Sequence, residues 1–170
     1  MVSEHAALPP GHQNDWESVF KKIAAVTEAR ITEKAREPKR TIPPTPVVAI
    51  PSSVGELVDK IAILEIKECR ITDAEKLAHI RHELSLLLSL KNECKLVGEQ
   101  LAKLAAELKL VNSLLWDAET AIRAHEARSD FGASFVALAR QIYASNDQRA
   151  ALKKAINQLL NSVIVEEKSY

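Results

Sequence analysis

Glycine is scarce in this chain of 170 residues, in which it occurs four times, at Gly11, Gly55, Gly98 and Gly132. Phosphate-binding loops of the Walker and dinucleotide-binding types need several glycines within a few residues. These four glycines lie too far apart to form either loop. The sequence therefore carries no nucleotide-binding fingerprint.

An excess of positive charge is also missing, because 23 Lys and Arg residues balance 23 Asp and Glu residues. Aromatic residues make up 4% of the chain, which leaves few rings to stack on bases. Proteins that bind nucleic acid usually carry a basic excess or a basic stripe. We therefore expect no nucleic-acid partner.

Long apolar runs are absent as well. Runs such as Leu86-Leu87-Leu88 are far shorter than the roughly 18–20 residues that span a bilayer. The N-terminus lacks the basic start and apolar segment of a signal peptide, so we expect a cytoplasmic protein without a membrane segment. Cys69 and Cys94 show no Cys-x-x-Cys spacing, which favours reduced thiols over a disulfide framework.

The composition, 46% hydrophobic and 27% charged, is enough for one domain with a core. We predict an N-terminal extension with one amphipathic helix over residues 1–36, the helix running from Asn14 to about Arg36. A proline-rich linker follows at 37–52, because proline cannot continue a helix. Within it, residues 47–50 could form a short strand. A helical bundle domain then covers 53–170.

The stretch from Ser53 to Arg70 defines the bundle. Ser53 and Glu56 form a capping box, which predicts a helix start. At about 100° per residue, Glu65 and Glu68 fall in the same sector as the apolar residues Val54, Leu57, Val58, Ile61 and Leu64. Buried carboxylates need partners, so we expect them to meet cations, a metal or a ligand.

The remaining helices follow from capping signals and from apolar spacing. A second capping box at Thr72 and Glu75 predicts a helical hairpin, and Gly98 predicts a kink or break between Lys91 and Glu99. A regular seam then runs over Val97–Ile122 and ends near Arg128: Leu101, Leu104, Leu108, Val111, Leu115, Ala118 and Ile122. The last helix runs from Ala133 to about Val163, and we favour a continuous helix over a break at Ser145.

No segment alternates with the period of a strand, so the predicted class is all-α. The architecture is an antiparallel helical bundle with long helices that pack in the manner of a coiled coil, preceded by a helix and the proline-rich linker.

Polar residues recur on the bundle faces and form the candidate cluster: Glu65, Glu68, Asn112, Glu119, Arg123, Asn146, Arg149 and Lys153. One interpretation is an internal ion-pair network that fixes the register of the helices. The other is a pocket for a small, partly anionic molecule, with Arg123, Arg149 and Lys153 as cationic clamps and Glu65 or Glu119 as a general base or metal ligand.

No cofactor can be named from these residues. A di-iron bundle would need Glu-x-x-His on two helices, and His79, His82 and His125 do not provide it. We therefore expect these histidines to be solvated and name no metal ligand. Trp116 at seam spacing is expected in the core.

Several blocks resemble a family of short bacterial helical proteins that is described as a domain of unknown function. The blocks begin with Val-Gly-Glu-Leu-Val-Asp-Lys at residue 54 and include Val-Asn-Ser-Leu-Leu-Trp-Asp from 111, Asn-Asp-Gln-Arg-Ala from 146 and the closing Val-Glu-Glu-Lys-Ser-Tyr. The likeness spans roughly Ile50 to Tyr170 and leaves the first 45 or so residues outside. The resemblance implies a bacterial, soluble, helical protein and gives no activity to carry over.

Two functions are compatible with these patterns, and whether the protein is an enzyme is left open. The first is a self-associating interaction or scaffold module, a homo-oligomer joined through the Val97–Ile122 seam. The alternative is an inter-helix site for an anionic or phosphorylated metabolite, with or without the assistance of a metal.

Overall fold

The fold is given by a computed structural model, in which the structure describes residues 21–29 and 48–167. The chain divides after Val48 into two units. In the first unit, residues 21–29 are helical and exposed, and this part is called α1. The remainder of the predicted N-terminal helix, and the linker up to residue 47, lie outside the described residues.

Four helices make up the second unit: α2 (Val54–Arg70), α3 (Ala74–Glu93), α4 (Glu99–Ala127) and α5 (Ala133–Leu159). The described residues contain no strand. A short strand was considered over 47–50, and its described part, 48–50, has no regular structure. The all-α prediction is confirmed. α2 packs against α3, α4 and α5, whereas α3 packs on α2 alone among the described helices. The two long helices, α4 and α5, pack along each other.

The start of α2 is the predicted one. Ser53 Oγ accepts a hydrogen bond from the Glu56 N–H at 3.2 Å. The Glu56 carboxylate does not turn back to complete the box, because it pairs with Lys153 of α5. α3 begins one residue later than a cap at Thr72 would place it, since Asp73 is the N-cap and its Oδ1 accepts from the Lys76 N–H at 2.9 Å.

The helical structure is interrupted between α3 and α4, where a kink or break was predicted. Residues 94–98 leave the helix, and Gly98 stands before α4 with a φ of 139°, a backbone conformation that glycine adopts without the steric cost of a Cβ. α5 continues through Ser145, as favoured, but it ends at Leu159 instead of Val163. Residues 160–167 then form an irregular tail.

Two apolar clusters lie on different sides of α2. Val58, Leu101, Leu108 and Ile156 join α2 to α4 and α5, and Ile61, Leu64, Ile80 and Leu84 join α2 to α3. The predicted seam of α4 is therefore largely occupied within one chain, because five of its residues are buried there: Leu101, Leu108, Val111, Leu115 and Ala118.

Gly55, in the first turn of α2, marks the closest approach of α2 to α5. A Cβ built at this position would lie 2.5 Å from the backbone oxygen of Lys153 and 3.0 Å from Asn157 Oδ1. The backbone oxygen cannot move aside without bending α5. The close packing of the two helices therefore requires glycine at this position.

Gly55→Ala should lower the free energy of unfolding by about 1–3 kcal/mol, the usual cost of overpacking a filled site, measured by urea denaturation. Gly132→Ala is the control, because a Cβ there would meet only Asp130 Oδ1, at 3.4 Å. We expect this variant to change stability by less than about 1 kcal/mol. Equal losses in the two variants would contradict the close approach at Gly55.

Candidate functional site

α2 buries a second face, which carries the polar centre of the bundle. Four buried residues follow one another along it at spacings of four, three and four: Gly55, Asp59, Ala62 and Ile66. Asp59 is only 2% exposed. A carboxylate at this depth is tolerated only with charged or hydrogen-bonding partners.

Arg149 of α5 supplies the charged partner and binds both oxygens of Asp59. Its Nε donates to Oδ1 at 2.9 Å, and its Nη2 donates to Oδ2 at 2.5 Å. Asn112 of α4 donates from Nδ2 to the same Oδ1 at 2.8 Å. The hydrogen bond to Asp59 raises the pKa of Arg149 against the opposing effect of burial. This charged network joins α2, α4 and α5 at one point.

The first turn of α2 is also tied to α5 and to the tail that follows it. The Gly55 N–H donates to Asn157 Oδ1 at 2.7 Å, and the Val54 N–H donates to Ser162 Oγ at 3.3 Å. A helix start leaves its first N–H groups without partners inside the helix. Here the side chains of Asn157 and Ser162 satisfy two of them.

Lys153 lies between the start of α2 and the tail. Its side chain is 11% exposed, and its Nζ donates to Glu56 and, at 2.5 Å, to Glu166 Oε2. Burial lowers the pKa of Lys153, but the hydrogen bonds to Glu166 and Glu56 outweigh it and raise the pKa above its ordinary value. The ammonium group therefore holds α2 and the tail together.

Glu65 and Glu68, two of the predicted site residues, lie at the surface and not in this centre. Glu65 accepts from Lys109 at 2.7 Å, and Glu68 accepts from Arg81 at 2.8 Å. Each glutamate side chain is 36% exposed. The predicted convergence of these carboxylates on Arg149 does not occur, because they face neighbouring helices at the rim of α2.

Arg123 and Asn146 each have a contact within their own helix. Arg123 pairs with Glu119 one turn away on the same helix, at 3.4 Å, and both are exposed. Asn146 Nδ2 donates to the Ile142 carbonyl at 3.1 Å, within α5. The predicted cluster is thus divided among several places, with Asn112 and Arg149 sharing Asp59.

Asn112, Glu119 and Arg149 nevertheless line one shallow groove beside the polar centre. Its volume is about 160 Å³, and its other lining residues are Ile63, Ile66, Leu115 and Trp116. Trp116 is half-buried, so it lies at the edge of the core. Its ring centroid lies 5.8 Å from the guanidinium carbon of Arg70. The groove combines an apolar wall with one cationic and one anionic side chain.

The part of the chain that the structure describes contains no group of three or more His, Cys, Asp or Glu side chains placed to hold a metal ion. None of its helices has both the length and the apolarity to cross a bilayer. Cys69 and Cys94 are exposed free thiols.

The two long helices continue past the end of α2. Arg70, the last residue of α2, pairs with Asp117 and donates to Ser113 at 2.5 Å. Ala118 and Ser145 are buried, but no residue from 119 to 144 is. We call residues 119–144 the hairpin tip. Its half-buried larger apolar residues are Ile122, Phe135, Leu138 and Ile142.

Gly55, Asp59 and Asn157 are the important residues that sequence reasoning missed. Asp59 was not among the predicted site residues, because it lies opposite the most apolar sector of α2. The spacing of Gly55, Asp59, Ala62 and Ile66 could have indicated this second buried face. Small residues such as Gly55 and Ala62 allow a neighbouring helix to approach closely. The sequence therefore held a second contact face that a search for one apolar stripe overlooks.

Arg149→Met should destabilise the protein by about 3–5 kcal/mol, because it leaves the Asp59 carboxylate buried without its cation. The exposed Arg123→Met is the matched control, with an expected change within about 0.5 kcal/mol. Urea denaturation measures both. The double variant Asp59→Asn, Arg149→Met should lose clearly less than the sum of the two single losses. Additive losses would show that the two groups do not interact.

Stability at high pH tests the ion pairs of Lys153. The pKa of Lys153 is higher in the folded than in the unfolded protein, where it is about 10.5. The stability that such a cation contributes is complete below the unfolded pKa and is lost as the pH rises through the folded pKa. The stability difference between the natural chain and Lys153→Met should therefore be constant from pH 7 to about pH 9.5 and shrink above about pH 10.5.

Urea denaturation at a series of pH values measures this difference. Lys154→Met is the control, since Lys154 is exposed and its contact with Glu167 is 3.3 Å long. A difference for Lys153→Met that already shrinks between pH 7 and pH 9, or that persists unchanged to about pH 12, would contradict the assignment.

Comparison with known proteins places this architecture in a family. No curated protein and no solved structure matches the chain. A family model matches residues 48–170, which include every helix of the second unit and all of the polar centre. The chain belongs to DUF6165, a family of unknown function.

Proposed function

We propose that the chain is a self-associating helical interaction module in which the hairpin tip of one copy docks against the hairpin tip of a second. The observation that supports this is the lack of any buried residue from 119 to 144, although apolar side chains recur there at helical spacing. An amphipathic helix pair buries its remaining apolar surface when further helices cover it.

A second copy fits this surface because two antiparallel helix pairs can form a four-helix bundle. In a twofold interface the same patch faces itself, so it must be self-complementary. The tip has three acidic residues (Glu119, Glu126 and Asp130) and three basic residues (Arg123, Arg128 and Arg140). These acidic and basic side chains balance, so no excess of one charge opposes the pairing of two tips.

The apolar content of the tip is sufficient for a weak dimer. Completing the burial of a half-buried aliphatic or aromatic side chain gains roughly 1 kcal/mol, and a dimer would cover eight of these side chains. Phe131 and Tyr143 are 54% and 61% exposed and add to this area. The total exceeds the lower end of the cost of association, about 4 kcal/mol, so the equilibrium should depend on protein concentration.

This proposal keeps the self-association predicted from the sequence but moves the surface. Leu101 to Ala118 of the α4 seam are occupied by contacts inside one chain, whereas Ile122, the last residue of the seam, belongs to the tip. The proposed role is that of a scaffold which brings two copies, and whatever each carries, together. It requires no catalytic group.

Sedimentation equilibrium tests the proposal. The natural chain should rise from its monomer mass of 18.8 kDa toward twice that value as its concentration increases. Val136→Glu together with Tyr143→Glu should keep it monomeric, because both side chains are exposed in the monomer and the new charges would lie in the interface. These substitutions should not unfold the monomer.

Leu110→Glu is the control, since Leu110 is 62% exposed on α4 outside the tip. It should leave the association unchanged. A natural chain that stays monomeric at all concentrations, or an association that Leu110→Glu abolishes and the tip variant does not, would refute docking through the tip.

A further inference from the structure

Arg149 lines the groove, and Asp59 engages only part of its guanidinium group. Nε and one N–H of Nη2 donate to Asp59, and a guanidinium carries five N–H donors in a planar fork. No hydrogen bond to another described residue engages the remaining three. Asp59 therefore holds the fork in a fixed orientation while its second edge can bind a carboxylate through two parallel hydrogen bonds.

The groove presents a second charge of opposite sign. Glu119 lines it together with Arg149, and its contact with Arg123 is 3.4 Å long and exposed, which is worth little in water. A ligand with negative charge alone would meet the Glu119 carboxylate beside Arg149. A ligand that carries both signs would satisfy both side chains.

The size and the apolar wall of the groove limit the ligand further. A volume of about 160 Å³ corresponds to roughly five water molecules, which suits a molecule of few heavy atoms. Ile63, Ile66, Leu115 and Trp116 provide the apolar contact. Asn112 adds a side-chain amide at the same place.

We propose that this groove binds a small zwitterion with an apolar side chain, the chemistry of a free α-amino acid. Arg149 receives the carboxylate, Glu119 receives the ammonium group, and the apolar wall contacts the side chain. Asp59 is a positioning residue, because it orients Arg149 without touching the ligand. The inference rests on a different observation from the proposed self-association, although Glu119 belongs both to the groove and to the edge of the hairpin tip.

Leucine and two analogues test the proposal by titration of tryptophan fluorescence. The experiment uses the full chain with the substitution Trp16→Phe. Trp116, which lines the groove, is then the only tryptophan in the protein. Leucine has both charged groups, 4-methylpentanoate lacks the ammonium group, and 3-methylbutylamine lacks the carboxylate. Leucine should saturate the signal, and each analogue should bind about tenfold more weakly, because each loses one hydrogen-bonded charge pair.

Glu119→Gln assigns the ammonium site. It should weaken leucine binding about tenfold and strengthen 4-methylpentanoate binding, because this anion no longer meets the Glu119 carboxylate. An unchanged melting temperature would show that the fold is intact. Glu126→Gln is the control, because Glu126 is exposed on the same helix but does not line the groove. It should leave leucine binding as it was.

Three results would overturn the proposal: no saturable signal up to about 10 mM leucine, equal binding of all three probes, or leucine binding that Glu119→Gln does not change. Repeating the leucine titration with the double variant Val136→Glu, Tyr143→Glu tests whether leucine binding depends on self-association. Binding that persists in this variant shows that the groove works in a single chain.

Discussion

The ion pair between Asp59 and Arg149 is the interaction on which the arrangement of the bundle depends. Its carboxylate is buried and its guanidinium is half-buried. Arg149 binds both carboxylate oxygens, which connects the central helix α2 to α5, and Asn112 adds α4. Apolar packing alone allows helices to slide by a turn at small cost, whereas a buried charge tolerates one position. The pair therefore fixes the register of three helices.

The length of α2 determines which parts of α4 and α5 it leaves uncovered. α2 covers α4 and α5 from the contact of Gly55 with Asn157 to that of Arg70 with Asp117. Beyond that point the hairpin tip has only its own two helices to bury its apolar side chains. The groove lies near the same boundary, so both proposed binding surfaces are located where α2 ceases to cover the long helices.

Periodicity and capping were sufficient to predict the helices, because they depend on neighbours in sequence. Ser53, Gly98 and the continuous α5 through Ser145 illustrate this. The polar centre was predicted only in part, since Arg149 and Asn112 were identified but Asp59 was not. A helical wheel assumes one buried stripe, and α2 has three neighbours. The same assumption placed Glu65 and Glu68 in the core, although Lys109 and Arg81 hold them at its rim.

Native-state hydrogen exchange of the backbone amides tests this account most directly. If the Asp59 pair holds α2 between the long helices, amides in the middle of α2 should exchange only through global unfolding, with protection equal to the full stability of the domain. Amides of the hairpin tip should exchange through local opening at a lower free energy, measured at a concentration where the chain is monomeric. Equal protection of the two regions, or weaker protection in α2, would contradict the account.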